Sequence, residues 1–191
     1  QRIPTQAVRI NSDSNRFRAL CRVVSFLRTI HDADKLYATV TETARNMMNM
    51  ERAALILQTD GQDTFRFLAS RGEFESEEIL TDKNIIAILN ITRQIGYPLD
   101  ASRSQIPEDK VAEDFLKAHP GIICAPLWIR DEVTGFLYLD STRRSAEQGS
   151  EDQSFLVAFS QQVALGLERI LLYDQLRETM KNRQSEPMLT A

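Results

Sequence analysis

Only two cysteines, two histidines and seven glycines occur among the 191 residues, and each scarcity removes a class of function. Two cysteines form no disulfide framework, so Cys21 and Cys124, both within apolar runs, read as free core thiols in a reducing cytoplasm. His31 and His119 stand far apart, and metal sites need ligands clustered at short spacings, so no metal ligand set is expected. The few glycines form no phosphate-cradling loop, no G-x-G-x-x-G and no G-x-S-x-G. No catalytic residues are expected. Basic residues are scattered among acids, and a net charge of −4 with a pI near 5.3 argues against a nucleic-acid surface. No uninterrupted apolar run reaches the roughly 18 residues that span a bilayer, and no signal peptide opens the chain.

What is present is pattern. Residues 1–14 are polar with Pro4 and read as a linker from an upstream domain. A helix follows, with Phe17, Leu20, Val24 and Leu27 at spacings of three and four and a second stripe of Val23, Phe26 and Ile30. Asp34 is the expected N-cap of a second helix carrying Leu36, Val40, Ala44 and Met47. Strands are expected at 53–57 and 65–71, joined by a turn at Asp60-Gly61. Residues 84–95 form the next helix, stopped by Gly96, and 97–101 a short strand or edge. Residues 102–120 read as a loop with one helical turn near 111–116. In residues 122–141, two apolar runs fold over a turn of Arg130, Asp131 and Glu132, with Gly135 opening the second strand. A last helix begins at Ser150, capped with Gln153 in a capping box. The tail, 184–191, reads as frayed or disordered.

Four segments, taken in order, resemble the GAF family of small-molecule-binding signalling domains. They are 34–50 (DKLYATVTETARNMMNM), 51–60 (ERAALILQTD), 122–141 with its Pro-Leu and Gly-x-Leu-Tyr-Leu-Asp elements, and 150–176 with Leu-Glu-Arg before Leu-Tyr. The likeness covers about 17–177. It divides the chain into a linker (1–14), a GAF-like domain (15–177) and a helix extension with a disordered tail (178–191). The resemblance implies an α+β fold: a central antiparallel sheet, the N- and C-terminal helices packed on one face, and a ligand pocket on the other beneath the 84–95 helix and the 97–120 loop. Family ligands include cyclic nucleotides, haem, bilins and small metabolites. The sequence departs from several subtypes. The dispersed Asn-Lys, Phe, Asp-Glu signature of cyclic-nucleotide members is missing. Cys21 precedes Arg22 and Cys124 precedes Ala125, so the Cys-His pair of bilin members has no match. One pocket thiol is too few for the sulfoxide-reducing members. The cofactor is therefore left unassigned.

Candidate pocket residues are Arg71 at a strand end, Ile88 and Arg93 on the pocket helix, Asp100 and Ser102 after the edge strand, and Cys124, which shares the parity of Trp128. Arg71 and Arg93 suit an anionic ligand such as a cyclic nucleotide, because guanidinium grips phosphate or carboxylate in two places. Both terminal helices carry surplus apolar stripes, and Leu156–Val163–Ile170 and Phe159–Gly166–Tyr173–Met180 keep heptad spacing. That pattern predicts a homodimer joined through Leu20, Val24, Leu27, Val163, Ile170 and Tyr173. The expected role is a cytoplasmic, bacterial-type sensory domain linking an upstream domain to a downstream effector, with no direct nucleic-acid or membrane partner. The effector classes in view are a nucleotide cyclase, a histidine kinase or a transcription activator. The alternative is a module that has lost its ligand and only dimerises.

Overall fold

A computed structural model describes residues 17–18, 20–26, 29, 32–59, 64–72, 82–102, 110–142 and 150–185. The expectations for 1–14, Leu27, Ile30, His31, Asp60-Gly61 and 186–191 lie outside these residues. Helical residues among 17–29 come first. The elements after them are α1 (Ala33–Met47), β1 (Arg52–Gln58), β2 (Phe65–Arg71), α2 (Lys83–Ile95), β3 (Leu99–Asp100), α3 (Lys110–Ala118), β4 (Ile123–Ile129), β5 (Glu132–Asp140) and α4 (Ser150–Ser185). The five strands form one antiparallel sheet in the order β2-β1-β5-β4-β3. The class is α+β.

Strand alternation sorts the apolar residues onto two faces, and each face has its own core. Ala53, Leu55, Leu57, Ile123, Ala125, Leu127, Leu137 and Leu139 face α1 and α4, with Val23 of the N-terminal helical residues in the same cluster. Ala54, Ile56, Cys124, Phe136 and Tyr138 face α2 and α3. This two-sided burial explains why β1 and β4 read as nearly continuous apolar runs.

Several local expectations are corrected. Asp32, not Asp34, caps α1: its carboxylate accepts from Lys35 N at 3.2 Å. Asp34 lies in the first turn, where the helix dipole still favours an acid. The β4–β5 turn is shorter than expected, because Glu132 already pairs with Ile129. That leaves Arg130 and Asp131 as a two-residue turn, both at positive φ (53° and 64°), the twist such hairpins require. Gly135 is interior to β5, where an added Cβ would come within 3.0 Å of Leu57 and 3.2 Å of Leu127. The single turn foreseen near 111–116 is the full helix α3. Helix α4 begins at Ser150 as expected and runs to Ser185, through residues assigned to a tail.

Cys21 is exposed rather than buried; only Cys124 is a core thiol. Two of the residues expected to join two copies are buried within the chain. Val163 and Ile170 belong to the intrachain core, on the α4 stripe of Leu156, Phe159, Val163, Leu167 and Ile170 that covers the sheet. The apolar residues left outside are Leu165 (60% exposed), Leu172 (43%), Leu176 (56%) and Met180 (65%), with Tyr173 beside them. Leu20 and Val24 are partly buried, Leu20 against the domain's own core. By length and composition the stretch Gln153–Lys181 would suffice to cross a membrane, yet half of its most apolar 18-residue window is buried inside the domain.

Candidate functional site

Helix α2 is set over the second sheet face by its two caps. Asp82 accepts from Asn84 N at 2.8 Å, and Gly96 closes the helix in the left-handed conformation with its N–H on Thr92 O. Between the caps, Ile85, Ile88, Leu89 and Thr92 follow the three-and-four spacing of one buried stripe. Three of the four are apolar. The fourth brings a hydroxyl into the core.

Beneath this stripe a row of residues crosses the sheet. Ala54 pairs with Tyr138, Tyr138 with Cys124, and Cys124 with Leu99. The Thr92 hydroxyl is buried with no hydrogen-bond partner of good geometry. Its neighbour Cys124 is completely buried, and burial pushes the thiol up to about 12, which the weak contact with Thr92 only partly opposes. Burial, reinforced by Asp140 and Cys124, likewise holds the Tyr138 phenol well above its ordinary range. All three groups are therefore neutral hydrogen-bonding groups at physiological pH. Farther along the same face, Arg52 donates to Asp140, and the carboxylate is buried. Ile85, Ile88, Leu89, Leu116, Ile122 and Phe136 supply the apolar remainder.

Of the residues expected around a ligand, Ile88 and Cys124 are brought together here. Arg93 lies in the last turn of α2 and is partly exposed. Asp100 and Ser102 are bonded to each other at the sheet edge: Asp100 Oδ1 accepts from Ser102 N (3.0 Å) and Oγ (2.7 Å). That is a turn built by an Asp side chain. Arg71 is on the wrong face. The β1–β2 register slips between Leu55 and Ile56, so Phe65 and Phe67 sit on the α2 side while Arg71, opposite Ala53, faces α1. There its Nε lies 3.6 Å from Glu42 Oε2. Glu42 is held below the usual carboxylate range, chiefly by Arg45 and Asn46 and in small part by Arg71. The bulge at Leu68 is the physical reason: one extra residue reverses the parity of everything after it.

Thr92 and the Arg52–Asp140 pair were not foreseen. Thr92 was visible as a polar residue four positions after Ile88 on an otherwise apolar stripe. Arg52–Asp140 joins residues 88 apart in sequence and had no local signal. A separate open groove, with a volume of about 1050 Å³, lies between the N-terminal helical residues and α1 and is lined in part by Arg18, Cys21, Arg22, Phe26 and Met47. None of the foreseen pocket residues lines it. Its walls are largely exposed, whereas Thr92, Cys124 and Tyr138 are buried. Among the described residues, no group of His, Cys, Asp and Glu is gathered to hold a metal.

The profile of GAF domains matches residues 32–169. The chain belongs to the GAF family. Its fold is shared with the GAF domain assigned to a sensor histidine kinase from Pseudomonas syringae pv. tomato, at 19% identity and a TM-score of 0.68, over 92% of this chain and 99% of that one. It is shared too with the GAF domain of a phosphoenolpyruvate-protein phosphotransferase from Acinetobacter (14% identity, TM-score 0.62, 82% and 94% covered). The phycocyanobilin-bound GAF domain of a cyanobacterial phytochrome aligns at 15% identity and a TM-score of 0.57, over 83% of this chain and 96% of that one. Among curated proteins no relative matches the sequence. At these identities the solved structures share a fold with this GAF domain, and its ligand chemistry has to be read from its own residues.

Proposed function

We propose that this GAF domain is the sensory part of a signalling protein, binding a small molecule beneath α2 and transmitting occupancy through paired terminal helices to an effector. The observation that carries the reading is the buried Thr92 hydroxyl, whose one contact is the weak one with the Cys124 thiol in an apolar floor. A thiol is a weak hydrogen-bond partner, so a buried hydroxyl left to it carries part of the cost of about 1–3 kcal/mol of an unsatisfied group. A ligand's polar atom reaching it would recover that cost, and a few polar groups in an apolar pocket are the usual means of fixing a ligand's orientation. Arg71 is turned to Glu42 and Arg52 is held by Asp140. The ligand we infer is therefore small and largely apolar, with one or two hydrogen-bonding groups. Arg93, partly exposed in the last turn of α2, carries a guanidinium suited to an acidic group, which keeps a cyclic nucleotide or another anionic metabolite within the proposal.

Output is assigned to α4. Its 36 residues extend roughly 54 Å at 1.5 Å per residue, and its core stripe ends at Ile170. Beyond that point Leu172, Leu176 and Met180 continue an exposed apolar stripe. A second copy of α4 would cover it in a parallel homodimer, as coiled-coil seams are covered. Ligand binding would shift the balance between two pairings. The signalling names of the solved relatives support this assignment, and the free thiols suit a cytoplasmic setting. A nucleotide cyclase, a histidine kinase or a transcription activator would each serve as effector. The second reading, a dimerisation module without ligand, draws on the dense filling of the floor by Ile85, Ile88 and Leu89.

Native mass spectrometry of the purified chain separates the readings. A dimer carrying a small-molecule adduct is the expected result. A dimer without adduct, stabilised by no compound, favours the second reading, and a monomer at tens of micromolar removes the dimeric output from both.

A further inference from the structure

The β4–β5 hairpin touches both helices to which the proposed function gives a task. Trp128 Nε1 donates to Gly96 O at 3.1 Å, on the residue that ends α2. The fit is close: a Cβ at position 96 would lie 2.8 Å from Trp128 Cζ2. On the other side of the tip, Arg130 Nη2 donates to Gln175 Oε1 at 3.0 Å, and its Nε lies 4.0 Å from Glu168 Oε1. Glu168 and Gln175 bracket Ile170, the last core residue of α4. Arg130 thus grips α4 where the helix leaves the sheet.

The backbone of the tip points the same way. A two-residue turn with positive φ at both positions is ordinarily Asn-Gly or Asp-Gly, yet Arg130 and Asp131 occupy it. A side chain persists in the left-handed region when its surroundings hold it there, and the Arg130 guanidinium is held by two side chains of α4. The register shift between Leu127 and Trp128 completes the arrangement. It leaves Thr134 as the extra residue of a bulge in β5 and turns Val133 to the α2 side opposite Trp128, whose ring lies against Gly96.

We propose that this hairpin couples the C-terminal end of α2 to the exit turn of α4, through Trp128–Gly96 on one side and Arg130–Gln175/Glu168 on the other. A shift of α2 then alters how firmly α4 is held at its departure from the sheet. Both contacts are partly exposed, so they break and re-form without unfolding the core. The signalling value of the coupling rests on the reading of α2 and α4 given above. The coupling itself belongs to the ligand-free chain and is tested there.

Hydrogen exchange is compared for the wild type, Trp128→Phe, Arg130→Ala and the double variant, all without ligand. Trp128→Phe keeps an aromatic ring and deletes the N–H; Arg130→Ala releases α4 and leaves every α2 contact in place. Arg130→Ala should speed exchange in 171–177 and also, across the hairpin, in 92–96, by roughly two- to tenfold. Trp128→Phe should do the reciprocal, and the double variant should fall short of the product of the single effects. Arg130→Lys, which keeps the charge but not the fork, should resemble Arg130→Ala. The proposal is overturned if each variant loosens only its own end, if the effects multiply independently, or if exchange rises uniformly across the sheet. Failure to find any ligand would count against the sensory reading and leave this result standing.

Discussion

Two leucines five positions apart on α4 make a controlled pair. Leu167 is 0% exposed in the core against the sheet, whereas Leu172 is 43% exposed on the outward stripe. Leu→Ala at either site makes the same chemical change with the same effect on helix propensity, so the difference reports burial alone. At Leu167 the loss of transferred methyl and methylene groups plus the cavity left behind amounts to about 3–5 kcal/mol. At Leu172 the intrachain loss should stay under about 1 kcal/mol. Urea denaturation followed by circular dichroism measures both. With a slope of roughly 2 kcal/mol per molar urea, Leu167→Ala should lower the midpoint by about 2 M. A dimer adds a second signature: the Leu172→Ala effect should grow with protein concentration by mass action, and the Leu167→Ala effect should not. The reasoning fails if Leu167→Ala costs under 1 kcal/mol, because the stripe assigned to the sheet would then be the one facing outward.

Gly121→Ala should destabilise the fold by about 1–3 kcal/mol or prevent folding, since the new Cβ would overlap the backbone carbonyl oxygen of Ser141; a thermal melt reports it. In a thiol-labelling time course, Cys21 should react at once and Cys124 only after denaturant is added; rapid labelling of two thiols in native buffer would contradict the buried floor. Stability should fall as pH rises from about 9 towards 12. Cys124 stays protonated in the fold while its unfolded counterpart ionises, so the unfolded state binds fewer protons there and gains with pH, and Tyr138 adds the same sign at higher pH. Cys124→Ala should flatten the lower part of that decline, and an unchanged alkaline profile would show that Cys124 does not contribute.

Periodicity alone makes the layers legible in the sequence. The strand at 65–71, the helix at 84–95 with its Gly96 stop, and the apolar pair of runs in 122–141 all fall where alternation and three-and-four spacing put them. The failures share one cause: a local pattern is degenerate when two arrangements satisfy it. Helix α4 carries apolar residues on more than one stripe, so spacing alone could not say that Val163 and Ile170 face the sheet and Leu165 and Leu172 face away. Asp32 and Asp34 are both competent caps, and the choice depends on where the chain enters the helix. Arg71 was misplaced because the bulge at Leu68 is a property of strand pairing, and nothing in FRFLASR announces an extra residue. Thr92 shows the opposite case. Its position on the apolar stripe was readable, and only the packing reveals that its hydroxyl meets Cys124 rather than the helix backbone.

The claim that most needs testing is that a ligand seats against Thr92 and Cys124. Thermal shift against a small-molecule library, run in parallel on wild type, Thr92→Val and Arg71→Ala, addresses it directly. The account predicts at least one compound that raises the melting temperature of wild type and Arg71→Ala equally, with the shift diminished in Thr92→Val. A compound whose stabilisation survives Thr92→Val unchanged and disappears in Arg71→Ala would place the ligand on the opposite face of the sheet and contradict the account.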